Sequence, residues 1–506
     1  MFQEFIGSLD MVFTLVNLLA VLFGLILGLF VGSLPGMGAL TGMTILLPFT
    51  YHVSPLVALV ALMALSKGSY YGDCIPGILF NMPGSASAAV TSIDGHALTK
   101  KGYPGSALQG SLYGSVGGDL LSDIVLLVSA APLAMLALRV GPAENSMIIL
   151  FALTIVGMVV LDDPAKGMVS VSLGIILGSV GRDPFLFTER FTFGVLRLQD
   201  GIRLVPFLVG ILVISEIYCK FSLGKVTAKS KEIKQKDLKE GEILKEDKIT
   251  RSDAKVIFPS VLRGGIIGLF IGAVPGLGST VGGFVAYTQA KRLSKYKEGS
   301  RENLMQGMVS SESGNSAVNG ANLIPLLALG IPGSATAAVL YAAFMMQGIT
   351  PGPFIMREQP GMIFALLITL ILANVLLFLI GPYFVRVAKQ ALKVPPAILF
   401  PCILVISTVA VYSIQRSMFN VGLVFIFAIL GFFMKRTGFP VLPTVIAFYL
   451  VPIFEEGFRR SLLISGGDLG IFWRSPISLF FIVATFLSIG FTVYSIIKES
   501  KKAKET

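Results

Sequence analysis

Residues 24–42 read GLILGLFVGSLPGMGALTG and residues 264–282 read GGIIGLFIGAVPGLGSTVG; ten of the nineteen positions match without a gap, the whole P-G-x-G core among them. Two shorter echoes follow in the same order. PGSASAAV at 83–90 answers PGSATAAV at 332–339, with seven of eight positions matching, and Pro104-Gly105 answers Pro351-Gly352. Chance likeness between Gly-rich apolar helices explains one echo, not three in order. The chain reads as an internal duplication.

Around these repeats the composition is that of a membrane protein: of 506 residues, 54% are hydrophobic and only 14% charged, where soluble domains run near a quarter charged. At about 20 residues per span the apolar runs furnish about 10–14 membrane segments. The expected fold is therefore all-α and polytopic, with no room for a separate soluble domain. Cys74, Cys219 and Cys402 lie far apart, and His52 and His96 make no HExxH pair, so thiol and zinc chemistry are not expected. Neither is ATP hydrolysis, since the sequence has no GxxxxGK[ST] loop. No enzymatic acid, base or metal set is found, and a gradient or a partner is left to supply the driving force.

The formal charge of +11 is concentrated in three places: residues 220–255, residues 288–302 and the tail 498–506 together carry +9 of it. Short basic loops mark cytoplasmic faces rather than a nucleic-acid partner. The expected organisation is a first membrane repeat over 1–218, a charged cytoplasmic linker over 219–255, a second repeat core over 256–394, and further membrane helices with a basic cytoplasmic tail over 395–506. Lys67 is the first basic residue, so the start lacks the basic region of a signal peptide and is expected outside. The first repeat then enters inward and the second leaves the linker outward, which inverts one copy relative to the other. Loop charge agrees. Lys291, Arg292, Lys295 and Lys297 follow the second P-G-x-G, but Tyr51-His52-Val53-Ser54 follow the first; Lys100 and Lys101 precede Pro104, but Gln347-Gly348-Ile349-Thr350 precede Pro351. Arg459-Arg460 and Lys435-Arg436 are expected as cytoplasmic anchors at span ends.

Helix breakers at membrane depth are tolerated only where protein or a wet cavity satisfies the freed backbone. PGMG (35–38) and PGLG (275–278) are expected to break a helix and start a half-helix that returns to its own side, which puts Gly36, Gly38, Gly276 and Gly278 at the breaks. The PGS[AT] elements are read as second breaks, with Pro83 and Pro332 in the first turn of a restarted helix and Gly84 and Gly333 beside them. Half-helix N-termini suit a carboxylate or phosphate, and the hydroxyls of Ser85, Ser87, Ser334 and Thr336 would donate to its oxygens. The competing reading has those hydroxyls bonding their own helix backbones. Broken helices at matching positions of inverted repeats point to a transporter's substrate site.

Between the breaks the chain is unusually polar for membrane depth. Asn315, Asn319 and Asn322 at helical spacing, with Asp73, are candidate ligands for a coupling ion, Na⁺ or H⁺. Glu312 is a further ionisable group there. Lys67 pairs an anionic substrate, snorkels, or pairs with Asp73. Asp119 and Asp123 lie one turn apart in VGGD rather than the GxGD of intramembrane proteases, and a proton-linked or structural role is expected of them.

The doubled PGxG and PGS[AT] elements, YGDCIPGILFNMPGSASA (71–88) and NGANLIPLLALGIPGSATAAVL (319–340) resemble the TctA family, the large membrane subunit of tripartite tricarboxylate transporters. The likeness covers about residues 15–440. It implies a bacterial or archaeal inner-membrane permease that works with a small TctB-like membrane subunit and an extracytoplasmic TctC-like solute-binding protein. It also implies uptake of carboxylates such as citrate on a Na⁺ or H⁺ gradient, with no cofactor beyond that ion. The family's motif positions fall on Pro35, Gly36, Gly38, Pro83, Gly84, Ser85, Pro275, Gly276, Gly278, Pro332, Gly333 and Ser334. Where the family often has YGGS, this chain has Tyr71-Gly72-Asp73-Cys74, an added acid. The alternative function is a channel that uses the same re-entrant half-helices as a filter.

Overall fold

The computed structural model describes residues 2–34, 37–137, 140–158, 164–222, 247, 249–274, 278–352, 354–391 and 396–505. The first half runs α1 (Phe2–Val12), α2 (Leu15–Ser33), α3 (Ala39–Leu46), α4 (Pro55–Phe80), α5 (Ala86–Lys100), α6 (Pro104–Ala137), α7 (Pro142–Met158) and α8 (Pro164–Gly178). A two-stranded hairpin of β1 (Gly181–Arg182) and β2 (Glu189–Arg190) precedes α9 (Leu204–Leu208), a π turn and α10 (Ser215–Ser222). The second half runs α11 (Arg251–Gly272), α12 (Gly278–Arg292), α13 (Arg301–Ala321), α14 (Leu323–Leu329), α15 (Ala335–Met346), α16 (Ile355–Glu358) and α17 (Pro360–Ala391). The C-terminal helices are α18 (Pro396–Gln415), α19 (Met418–Thr437), α20 (Val441–Ile464), α21 (Ile471–Arg474) and α22 (Pro476–Glu505). Among the described residues six helices, α2, α6, α11, α17, α19 and α20, are long and apolar enough to cross a membrane, and six shorter apolar helices accompany them. The chain is an all-α polytopic membrane protein.

Glycine spacing fixes the central packing. A Cβ at Gly24, Gly28 or Gly32 would strike the backbone oxygen of Ala61, Leu65 or Ser69, and Gly68 and Gly72 return the contact on Leu25 and Leu29. The two series climb together, so α2 and α4 run parallel at the close approach that small residues permit. Gly264, Gly268 and Gly272 meet Ser310, Gly314 and Val318 in the same way, which makes α11 and α13 the second copy of that pair. Parallel neighbours in sequence need a segment that runs back between them. In the first copy this is α3 with the 3₁₀ turn Leu47–His52. In the second it is α12, antiparallel to α13, with Gly282 against Gly314 and Lys291 beside Gly307. The expected helix, break and returning half-helix are thus present twice. Pro35, Gly36, Pro275 and Gly276 lie outside the described residues, as does most of the linker.

Contacts between the copies give their relative direction. Lys67 meets Asp119 and Asp123 while Cys74 meets Ser111, so α4 and α6 are antiparallel. Gly110, Gly114 and Gly118 face Met305, Val309 and Ser313, so α6 and α13 are parallel. It follows that α4 and α13, the same element of the two copies, run in opposite directions. The repeats are inverted.

The loop charges sort accordingly. Lys101 bonds the Gly299 carbonyl, the Ser106 N–H donates to Asp247 at 3.0 Å, and Arg301 pairs with Asp253 at 2.6 Å. One face thereby gathers the Lys100-Lys101 turn, the basic loop after α12 and the end of the linker. On the other face Gln347 donates to the Thr50 carbonyl at 2.7 Å, joining the two turns that lack Lys and Arg. The linker ends sooner than the apolar pattern suggests, because Thr250 and Asp253 form a capping box that starts α11 at Arg251. One expectation is corrected. Arg459 pairs with Asp183 beside the hairpin, whereas Lys435 pairs with Glu216 in α10; the crossing from α9 to α10 separates them, so Arg459 and Lys435 anchor opposite faces.

The polar stretches at 66–79 and 303–321 remain helical, as parts of α4 and α13, and are buried on every side. A helix enclosed by other helices needs no lipid-facing apolar stripe, which is why hydropathy alone ends the first of these near residue 66.

Candidate functional site

Both second breaks are built by one local recipe. Pro76 and Pro325 each lie seven residues before the prolines of the PGS elements. In the first copy α4 ends at Asn81 in the left-handed region (φ 56), and the N–H groups of Asn81 and Met82 donate to Gly77 and Pro76. In the second, α14 ends at Gly330 (φ 71), with Gly330 and Ile331 donating to Leu326 and Pro325. Paired bonds of this kind close a helix C-terminus. The chain then reverses, and Ser85 and Ser334 act as N-caps of α5 and α15, accepting from the N–H groups of Ala88 and Ala337 at 3.2 Å. Pro83 and Pro332 therefore precede the cap instead of occupying the first helical turn; serine caps better than the proline ring, which fixes the extended approach.

Behind each cap stands the residue ten positions before the PGS proline. In the first copy this is Asp73, whose carboxylate accepts from the Ser85 hydroxyl and whose carbonyl accepts from the Gly84 N–H at 3.0 Å. In the second it is Asn322, whose amide donates to the Ser334 hydroxyl at 3.0 Å. Ser87 and Thr336 sit 2.9 Å from Ser85 and Ser334. The four hydroxyls thus bond to one another, to their caps and to Asp73 or Asn322, so the reading in which they only bond their own backbone accounts for part of what they do.

The first breaks come to the second. A Cβ on Gly84 would strike the Gly32 oxygen and Asp73, and one on Gly333 would strike the Asn322 side chain and approach the Gly272 oxygen; Gly38 faces Ser85. Gly278 opens α12 with φ 68, and nothing lies within 4 Å of where its side chain would be. Across the copies, Ser66 donates to Asn319 at 2.9 Å. Met43, Met63, Asn319, Asn322, Leu323 and Thr336 line a cavity of about 10 Å³ beside the second break, room for no more than a water molecule.

Several buried polar atoms at these positions have no hydrogen-bond partner among the described residues: one oxygen of Asp73, the Ser69 hydroxyl, both amide atoms of Asn315, the Asn319 nitrogen and the Asn322 oxygen. An unpaired buried polar group costs about 1–3 kcal/mol. Those of Asp73 and Asn322 lie behind the two serine caps. Asp73 and Asn322 bring oxygens suited to a cation; the first turns of α5 and α15 bring N–H groups suited to an anion.

The other ionisable groups lie elsewhere. Glu312 accepts from Thr91 at 2.9 Å and ties α13 to α5. Lys67 binds Asp119 and Asp123, not Asp73. Asn374 of α17, which donates to Asp123 at 2.8 Å, is invisible to sequence reading, since a lone amide in an apolar span carries no motif. The second-copy match of Asp73 and Asn322 is legible by counting back from each PGS proline.

Comparison with known proteins fits this architecture. The model of the family described as "Tripartite tricarboxylate transporter TctA family" matches residues 18–446. An uncharacterized 52.8 kDa protein from the TAR-I ttuC' 3' region of Agrobacterium vitis is 35% identical over 482 residues, covering 94% of this chain and 92% of that one. An uncharacterized protein from the TAR-II ttuC' 3' region of the same organism is 33% identical over 223 residues, covering 44% of this chain and 90% of its own length. No solved structure matches.

Proposed function

Because the chain belongs to the tripartite tricarboxylate transporter TctA family, we propose that it is the large permease subunit of a binding-protein-dependent secondary transporter for di- or tricarboxylates such as citrate, coupled to a Na⁺ or H⁺ gradient. The observation that carries this reading is the twofold, inverted break: Ser85 with Asp73 and Ser334 with Asn322, each at a half-helix N-terminus with buried polar atoms left unpaired. Carboxylates of the cargo take the N–H groups and hydroxyls of the first turns of α5 and α15. The coupling cation takes the oxygens of Asp73, Asn315, Asn319 and Asn322. The cavity of about 10 Å³ is far below the roughly 300–1,000 Å³ of small-molecule sites, so the two copies must part to admit cargo, which is what alternating access requires.

The face with Lys101, Lys291 and Arg301 is the cytoplasmic one by the positive-inside rule, in a bacterial or archaeal inner membrane. A TctC-like binding protein delivers cargo to the opposite face, and a TctB-like subunit packs on the lipid-facing helices. The test is uptake of labelled citrate into proteoliposomes holding the full transporter, with and without the binding protein, under imposed Na⁺ or pH gradients. Accumulation that needs both the binding protein and a cation gradient is the expected result. Flux far above carrier rates in electrical recording would make the protein a channel, and no gradient-dependent uptake of any di- or tricarboxylate would defeat the reading.

A further inference from the structure

The middle of the molecule holds a second ionisable cluster, separate from the breaks. Lys67 sits at the centre of α4, and its ammonium contacts Asp119 and, at 2.6 Å, Asp123 on α6; Asn374 from α17 donates to Asp123 at 2.8 Å. The Lys67 and Asp123 side chains are wholly buried, and Asp119 is 4% exposed. From α13 the Gly320 backbone closes over the site, with Ser122 and Asp123 against it; on α11, Val261 packs beside Gly117 and brings no charge. The ionisable groups here are the buried Tyr70 phenol, near Asp119 and one turn along α4 from Lys67, and, facing one another, one ammonium and two carboxylates. Fully ionised, they leave one negative charge at membrane depth with no counter-ion, a state that costs several kcal/mol. The second carboxylate oxygens of Asp119 and Asp123 and the Asn374 oxygen have no partner among the described residues. A metal ion does not fit, because the Lys67 ammonium already stands between the two carboxylates where a cation would bridge them. Nor does the second copy offer an equivalent: sixteen residues before its PGS proline, where the first copy has Lys67, stands Ser316, an uncharged residue that bonds Ser115.

We propose that Lys67, Asp119, Asp123 and Asn374 form an exchangeable proton site, and that the proton bound there is carried with the cargo in addition to the cation at Asp73, Asn315, Asn319 and Asn322. Binding converts one carboxylate to a carboxylic acid, using a proton taken from the medium, and leaves a neutral ammonium–carboxylate pair beside it. Release restores the excess negative charge on a cluster that shares α4 with the cargo site and abuts α13. Lys67 and Asp73 share α4, while Gly320, pressed against Asp123, adjoins Asn319, which bonds Ser66. Charge at the cluster is therefore felt by both copies at once.

The coupling half of this inference rests on the transporter reading; the proton site itself does not. The direct test follows the infrared C=O band of protonated carboxyl groups in the full chain, reconstituted in lipid nanodiscs, as pH is raised. One acid is expected to titrate in the double variant Asp73→Asn/Glu312→Gln, which removes the other two buried carboxyls that have no basic partner among the described residues. It should be absent in Asp119→Asn and in Asp123→Asn, where the remaining carboxylate is neutralised by Lys67, while Lys67→Met should increase the protonated population. A band unchanged by either Asp→Asn substitution in the cluster, or one that vanishes in Asp73→Asn/Glu312→Gln, overturns the site; should the cluster variants misfold, that double variant still decides. For coupling, an inward gradient of one pH unit supports about tenfold accumulation per proton carried. Labelled citrate in proteoliposomes should lose that pH-driven accumulation in Asp123→Asn yet keep citrate exchange. Retained pH-driven accumulation in the variant overturns the coupling role, whereas a wild type that moves no citrate defeats the substrate assignment and leaves the infrared result standing.

Discussion

The two breaks share a backbone plan and differ most in the side chain behind the serine cap. Both use a proline seven residues upstream, a left-handed cap, an extended Pro-Gly and a serine N-cap, yet behind the cap one copy has Asp73 and the other Asn322. The shared parts are those that satisfy backbone groups where no water does so. The differing part sets charge. Geometry is therefore duplicated while electrostatics is not: the first copy carries an acid at its break and Lys67 in mid-helix, and the second offers neutral amides and Ser316. Inversion places these unlike chemistries toward opposite faces, so a site that alternates between faces meets a different electrostatic surface on each.

The harshest way to break the comparison is to attack what the copies share. A Cβ at Gly28 or Gly268 would lie 2.1 or 2.3 Å from a backbone oxygen of the partner helix, and a backbone cannot yield as a side chain can. Gly28→Val and Gly268→Val are each expected to destabilise at or beyond the roughly 1–3 kcal/mol of overpacked cores. Size-exclusion profiles of the detergent-extracted protein should show loss of the monodisperse species in both. A variant that survives in one copy alone would mean that the α2–α4 and α11–α13 pairs are not equivalent.

A smaller effect sharpens the comparison by exchanging what differs. Asp73→Asn gives the first break the neutral side chain of the second, and the amide can still bond Ser85, so the fold should hold. Uptake of labelled citrate is expected to persist at reduced rate with its cation dependence shifted. Asn322→Asp puts a second carboxylate at an anion site and is expected to weaken citrate binding more than Asp73→Asn does. Equal effects in the two variants would show that the acid at position 73 has no distinct role.

How much of this is legible in sequence follows from what each signal measures. Identity between residues 24–42 and 264–282 reports backbone constraint, since Gly and Pro are placed by sterics, and so the duplication and its breaks can be read directly. Loop charge reports sidedness, which gave the inversion; it misplaced Arg459 because an arginine paired with Asp183 and Glu455 is a structural bridge whose sign says nothing about the membrane face. Hydropathy reports contact with lipid and thus missed the true length of α4, whose polar half is wrapped in protein. Lys67 pairing with Asp119 and Asp123 in preference to Asp73 depends on α6 lying antiparallel to α4, a tertiary fact with no local pattern. Asn374 entered only when α17 was seen to cross the same level.

Ser85→Leu and Ser334→Leu test the central claim most directly, with citrate uptake by cells expressing the whole transporter scored against the amount of chain in the membrane. Each substitution removes a cap hydroxyl and sets an apolar side chain where the carboxylate is to sit. Uptake lost in both variants at normal membrane levels is the predicted result, and undiminished uptake in either one would contradict a site built from two inverted breaks.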